Sequence, residues 1–291
     1  MRCDNADMPG TLFIVGTPIG NLEDITQRAL RVLSEVDIVA CEDTRHTERL
    51  LNHFGIKTKT ISYHEHNERA RAEQLCEQIE AGKNVALVSD AGTPLLSDPG
   101  FRIVQAAIER EIPVVPIPGA TAFVAALVAS GLPSDQFFFA GFLPARANAR
   151  RAKLEELRAV PGTLVFYEAP HRIAATLKAA LEVLGNRRAV VARELTKLHE
   201  EIARGSFNEL TRRFSDEAPP RGEIVLVISG AADESAGGAQ SSPQNLIERV
   251  SELESGGLDA KTALKQAARE SGMKRAEAYR LLVGQKNRRS K

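Results

Sequence analysis

The chain has no net charge: 38 Lys and Arg balance 38 Asp and Glu over 291 residues. A polyanionic partner is therefore not written into the overall balance, and only local patches can supply one. Cysteine is scarce. Cys3, Cys41 and Cys76 form no CxxC pair and no even set. That excludes a disulfide scaffold, argues against a zinc site and favours a reducing compartment. The first ten residues carry Asp4 and Asp7 and no apolar run, so no secretory signal is read there. The most apolar region, 112–128, is interrupted by Pro113, Pro116, Pro118 and Gly119, so no stretch spans a bilayer. A soluble, cytoplasmic protein without membrane contact is expected. The GxGxxG dinucleotide fingerprint is also missing, and His64, Glu65 and His66 lack the HExxH spacing of a helical zinc site. Neither a nicotinamide cofactor nor a metal is expected.

What is present is enough chain for two domains, with a 43% apolar fraction ordinary for a globular protein. After a flexible leader, 1–10, short apolar runs at 11–15, 37–41, 56–62, 85–88 and 112–116 alternate with amphipathic segments. Such alternation predicts an α/β domain over 11–130 with a parallel sheet and right-handed crossovers. A second α/β domain is expected over 131–230. Its strands are read at 137–142, 163–167, 188–192 and 224–228, with a short strand or bend at 200–204, in a mixed sheet. Residues 231–244, rich in Ala, Gly and Ser, read as a linker. A tail over 245–291 shows helical periodicity broken by glycines 256, 257, 272 and 284. Over 246–291 it holds eleven Lys and Arg against six Asp and Glu. Two readings are open: a helix-turn-helix-like nucleic-acid contact carrying Lys274, Arg275 and Arg280, or a plain three-helix tail.

The most informative stretch is 85–100, Val85-Ala-Leu-Val-Ser-Asp-Ala-Gly-Thr-Pro-Leu-Leu-Ser-Asp-Pro-Gly100. An apolar strand breaks into a loop of small residues, two prolines and two glycines before the next helix. In open α/β sheets ligands sit beyond the carboxyl ends of the strands, where this loop would lie. Asp90 and Asp98 are placed to accept hydrogen bonds from hydroxyls or an ammonium group. Loops 16–21 and 118–122 repeat the strand, glycine loop, helix order. Glu42-Asp-Thr-Arg-His-Thr47 ends the second strand; Asp43 or Thr44 caps the next helix, but capping does not account for Glu42, Arg45 and His46 together. Arg146, Arg150, Arg151 and Lys153 form a basic cluster that is either a solvated helix face or a phosphate contact.

Five segments then stand in one order: Val15-Gly-Thr-Pro-Ile-Gly-Asn21, Cys41-Glu-Asp-Thr-Arg-His46, Val88-Ser-Asp-Ala-Gly-Thr-Pro94, Pro116-Ile-Pro-Gly-Ala-Thr121 and Val165-Phe-Tyr-Glu-Ala-Pro-His-Arg172. The set resembles the tetrapyrrole-methylase superfamily, and more closely the bacterial ribosomal RNA small subunit methyltransferase I family. The resemblance implies a two-domain α/β fold of the class III S-adenosylmethionine methyltransferases, with the cofactor S-adenosyl-L-methionine folded into the cleft between the domains. It implies methyl transfer to a cytidine ribose 2′-hydroxyl in the decoding region of 16S rRNA, the 30S subunit as partner, and a homodimer. Carried over by motif, the cofactor contacts are Ile19, Val88, Ser89, Asp90, Thr93, Thr121, Ala122, Glu168 and Glu194. The superfamily commonly has Gly-Asp-Pro where Ser89, Asp90 and Ala91 stand, and Met and Gly where Glu168 and Glu194 stand.

A ribose hydroxyl is a poor acid, so a carboxylate or histidine within reach is needed to take its proton. Glu42, Asp43, His64 and Glu168 are the candidates, with Arg45 to hold a neighbouring phosphate bidentately. Arg146, Arg150, Arg151, Lys274, Arg275 and Arg280 are the candidate RNA contacts. A tetrapyrrole-precursor methylase and a non-catalytic RNA-binding protein are the rival functions; intact loops argue against the second.

Overall fold

The computed structural model describes residues 9–215, 220–231, 243–255, 257–270 and 278–279. Within 9–131 the chain alternates β1 (Leu12–Val15), α1 (Gln27–Glu35), β2 (Ile38–Cys41), α2 (Thr44–His53), β3 (Lys59–Ser62), α3 (Glu68–Glu80), β4 (Val85–Val88), α4 (Phe101–Glu109), β5 (Val114–Ile117) and α5 (Ala122–Ser130). The five strands form a parallel sheet in the order β3-β2-β4-β1-β5. β2 and β4 are buried along their whole length, which explains their unbroken apolar runs. α3 and α4 cover one face, through Leu75, Ile79 and Ile103 on Leu12, Ala40 and Leu87. α1 and α2 cover the other, through Val32, Leu33 and Leu51 on Val15, Val39 and Val88. Each fully buried aliphatic side chain contributes about 1.5–3 kcal/mol.

The expected boundaries shift where capping intervenes. The amphipathic segment expected between the runs at 11–15 and 37–41 splits into a short 3-10 turn, Leu22–Asp24, and α1. Asn21 caps the first by accepting from the Glu23 N–H, and Thr26 caps the second by accepting from the Ala29 N–H. The strand read from Ile56 starts only at Lys59, because the Ile56 N–H is drawn back to the Leu51 carbonyl at the end of α2.

Beyond Gly131 come β6 (Phe137–Phe142), α6 (Ala147–Leu157), β7 (Thr163–Glu168), α7 (Ile173–Leu184), β8 (Arg188–Arg193), β9 (Glu201–Ser206), α8 (Phe207–Arg213) and β10 (Ile224–Ile228). They form a mixed sheet ordered β6-β7-β10-β8-β9. β6 runs parallel to β7 and the other pairs are antiparallel. Side chains alternate with period two. Leu164, Phe166, Val191, Ile224, Leu226 and Ile228 face α6, α7 and α8. Val165, Val190, Ala192, Val225 and Val227 face the other way and are covered by α5 and by Ile19. The first sheet's last helix is thus the lid of the second sheet's inner face. This shared core fixes the two sheets against each other.

α9 (Pro243–Ser255) and α10 (Ala260–Glu270) pack together around Val250, Leu264 and Ala267, with Ala278 also buried there. Residues 1–8 of the expected leader, 232–242 of the expected linker, and Lys274, Arg275 and Arg280 lie outside the described residues.

Candidate active site

α1 and α4 lie on opposite faces of the first sheet, so the chain leaves the neighbouring strands β1 and β4 in opposite directions. A crevice opens between their carboxyl ends, as expected at a topological switch point. Three loops close around it. Gly16 and Gly119 touch backbone to backbone, so close that a Cβ on Gly16 would lie 2.9 Å from the Gly119 Cα. Thr17 and Gly92 exchange both backbone hydrogen bonds, at 2.9 and 3.2 Å, and the Thr17 hydroxyl donates to the Ser89 carbonyl at 3.2 Å. The Thr93 and Thr121 hydroxyls share a hydrogen bond of 2.7 Å. Gly92 sits at φ +83 with Ile19 against it. Leu95 and Ser97 are held at φ 72 and 70, a left-handed conformation that side chains resist. The loop is therefore built against local preference, which tertiary contacts must enforce.

The space enclosed is a cavity of about 400 Å³, within the usual range for a small-molecule site. Ile19, Leu96 and Ala122 supply apolar wall from the first sheet's loops; Tyr167, Ile224 and Val225 supply it from the second sheet. Asp90 and Asp98 bring carboxylates. Asp90 accepts the Asp43 N–H at 3.1 Å. Burial raises the Asp98 carboxyl above its ordinary range; a hydrogen bond from Ser89 opposes this and the Asp90 charge adds to it. Glu42 is exposed and does not line the cavity, but it precedes Asp43, whose N–H holds Asp90; its carboxyl is raised in the same direction, by partial desolvation first and then by Asp90 and Asp98. Carboxylates that disfavour one another's charge around an apolar hollow suit a cationic ligand. A second cavity, of about 390 Å³, adjoins the first and shares Ile19, Asp90, Ala91 and Glu223 with it.

Of the residues singled out in sequence, Ile19, Asp90, Thr93, Ala122 and Glu168 all line the first cavity. Val88 and Ser89 are buried behind it, and Thr121 supports Thr93. Glu194 is not among the lining residues. It sits at φ 50, and its carboxylate, lowered chiefly by the Lys197 hydrogen bond, takes the Lys197 ammonium at 3.0 Å. Asp43 caps α2 through the Arg45 N–H and also holds the Arg45 guanidinium at two points, 3.0 and 2.7 Å. The Asp43 carboxyl is accordingly lowered to about 2, first by the Arg45 side-chain hydrogen bond. So low a carboxyl is a weak base, and Arg45 is already engaged. His64 is half-buried: its backbone N–H donates to Asn67 Oδ1 at 2.9 Å, and its buried Nδ1 has no partner among the described residues.

Glu168, a candidate cofactor contact and base just beyond the strand expected at 163–167, is the last residue of β7, and its side chain is wholly buried. It accepts from the Ala169 N–H at 2.8 Å and the Thr176 hydroxyl at 2.6 Å, and pairs with Arg172 at 3.1 Å. Those partners leave it a structural anchor rather than a base. The basic cluster also divides. Arg146 is exposed, Arg151 pairs with Glu182, and Arg150 is buried with its guanidinium on the Ala145 carbonyl at 3.2 Å. Arg150 thus turns inward, away from any surface ligand. Among the described residues, no three His, Cys, Asp or Glu are grouped to hold a metal ion.

Sequence reasoning missed the second sheet's half of the cavity, Phe142, Tyr167 and 222–225. Nothing local marks them: antiparallel pairing of Ile224 with Glu168 and Val225 with Tyr167 brings them to the crevice.

The sequence profile of the tetrapyrrole (corrin/porphyrin) methylases matches residues 11–211. The chain is 46% identical over 279 residues to a ribosomal RNA small subunit methyltransferase I from Halalkalibacterium halodurans, covering 94% of this chain and 95% of that protein. It is 54% identical over 224 residues to a protein of the same description from Micromonospora olivasterospora, covering 77% of this chain and 72% of that one. Among solved structures, a uroporphyrin-III C-methyltransferase from Thermus thermophilus complexed with S-adenyl homocysteine superposes with a TM-score of 0.53. That match has 20% identity and covers 77% of this chain and all (100%) of the other, a likeness of fold.

Proposed function

The chain belongs to the tetrapyrrole methylases and, among them, to the ribosomal RNA small subunit methyltransferase I family. From that premise we propose that its cavity holds S-adenosylmethionine and that the enzyme methylates the ribose 2′-hydroxyl of a cytidine in the decoding region of 16S rRNA, on the 30S subunit in the cytoplasm. The observation that carries this reading is the cavity itself, where three glycine loops and the second sheet enclose apolar wall beside Asp90 and Asp98. The fit to the cofactor is chemical: two carboxylates complement a cationic sulfonium and ammonium, and the apolar wall suits an adenine. When bound, the cofactor supplies a methyl group already activated toward in-line displacement.

The chain's own contribution is orientation and electrostatics. Asp90 is fixed by the Asp43 N–H, which holds its carboxylate at the junction of the two cavities. Ile19, Ala122 and Val225 keep water from the wall they form. Glu42 is our assignment for the ribose proton. It adjoins Asp43, whose N–H holds Asp90, partial desolvation raises its basicity, and it lacks the clamp that engages Asp43. Exposed Arg146 and the tail's Lys274, Arg275 and Arg280 are proposed to bind RNA backbone. Self-association into a homodimer is supported by exposed Val124 and Val128 on α5 beside exposed Phe137 and Phe138 on β6.

The test uses the purified protein with methyl-labelled cofactor, offered either unmodified 30S subunits or porphyrinogens. Label in the 30S RNA alone is expected. Label in the porphyrinogen would turn the reading to the tetrapyrrole rival, and label in neither would reject methyl transfer.

A further inference from the structure

The second cavity has a composition unlike the first. One face of α2 lines it with His46, Arg49, Leu50 and His53, whose spacing of three, four and seven puts them on a single helical stripe. Lys197 faces them from the loop after β8. Its ammonium is held by Glu194 at 3.0 Å and Glu223 at 3.2 Å, and its stem packs on Gly20. Arg45, one turn before Arg49, is engaged by Asp43. Arg49 is exposed and has no hydrogen-bond or ion-pair partner among the described residues. Charge is therefore sorted along the crevice. Asp90 and Asp98 attend the first cavity, Asp90 and Glu223 stand on the shared wall with Lys197 held to Glu223, and Arg49 stands on the α2 side of the second.

We propose that this second cavity holds a phosphodiester of the RNA substrate immediately beside the nucleotide to be methylated, with Arg49 as its charged contact. The proposal rests on the RNA-methylating reading above and deepens it. The 2′-hydroxyl and the 3′-phosphate of one nucleotide are carried on neighbouring ribose carbons. A site that grips the phosphate next door to the donor cavity therefore sets the hydroxyl toward the wall that the two cavities share, at Asp90 and Glu223. An unpaired arginine on a rigid helix suits this, since its planar fork binds phosphate oxygens in pairs. It also replaces Arg45, the residue that the motif alone singled out for phosphate, by the residue one turn later that is free to do it.

The experiment measures binding of full-length protein to a fluorescently labelled single-stranded decoding-region RNA across a salt series, and binding of S-adenosylhomocysteine by calorimetry. The variants are Arg49→Gln and Arg49→Lys. A charge-assisted contact of ordinary strength predicts that Arg49→Gln weakens RNA binding by roughly tenfold or more. The slope of log affinity against log salt should become shallower by about 0.7 for the lost single-strand phosphate contact. S-adenosylhomocysteine affinity stays as in the parent protein, KM for RNA rises more than kcat falls, and Arg49→Lys recovers the salt slope because it keeps the charge. RNA affinity and salt slope unchanged in Arg49→Gln, with the parent protein active on RNA, would overturn the assignment of this cavity alone. Failure of the parent protein to methylate RNA would overturn the functional reading and this assignment with it.

Discussion

Replacing Glu168 by glutamine separates a structural carboxylate from a catalytic one. Glu168 ends β7 with its side chain fully buried, accepting from Ala169 and Thr176 and paired with Arg172. Glutamine keeps the shape and one acceptor oxygen but removes the charge and turns an NH2 toward a donor. Breaking a buried pair by removing one partner costs about 3–5 kcal/mol. The retained acceptor returns roughly 1 kcal/mol of that, leaving a loss of about 2–4 kcal/mol. Total stabilities are about 5–15 kcal/mol, so the variant should still fold. For a unit of this size each kcal/mol moves Tm by roughly 2–4 °C, so the expected drop is about 5–15 °C. Thermal unfolding followed by near-UV circular dichroism reads the drop. Methyl transfer, assayed well below the transition, should keep kcat within about threefold of the parent. An unchanged Tm together with a collapse of kcat would refute the reasoning and return Glu168 to the chemistry.

Gly92→Ala should cost about 1–2 kcal/mol from the φ of +83 alone. It also places a Cβ 3.3 Å from the Ile19 side chain, so S-adenosylhomocysteine affinity should fall along with Tm; calorimetry alongside unfolding checks both. If Glu42 takes the ribose proton, the ionised form is the active one. Desolvation raises its pKa above the ordinary 4.5, so the rate falls as pH drops through that raised value. A pH–rate profile of Glu42→Gln should lose this acid limb along with most of kcat. The same raised pKa means that ionised Glu42 slightly destabilises the fold above it, so Glu42→Gln should be at least as stable as the parent at neutral pH.

The elements most legible in sequence are those whose two faces are both covered. β4 and β10 read as unbroken apolar runs because helices on both faces bury every residue, and their bounds, 85–88 and 224–228, coincide with the observed strands. The glycine loops were legible because a close backbone approach, as between Gly16 and Gly119, demands a residue type that stands out. Partnership across the fold was not legible. Glu168 reads as a ligand contact or base and Arg150 as an RNA contact, since nothing nearby in sequence announces that the Thr176 hydroxyl or the Ala145 carbonyl meets them in the interior. The stripe of His46, Arg49 and His53 was present in the spacing, but a helix face becomes a binding wall only when Lys197, far along the chain, closes the other side.

The account stands on the first cavity being the methyl-donor site. A crystal structure of the protein grown with S-adenosylhomocysteine tests that most directly. Density for the product is predicted between the 90–98 loop and the 222–225 segment, with its cationic amino group toward Asp90 or Asp98. Product bound anywhere else, or an empty cavity at saturating product, would contradict it.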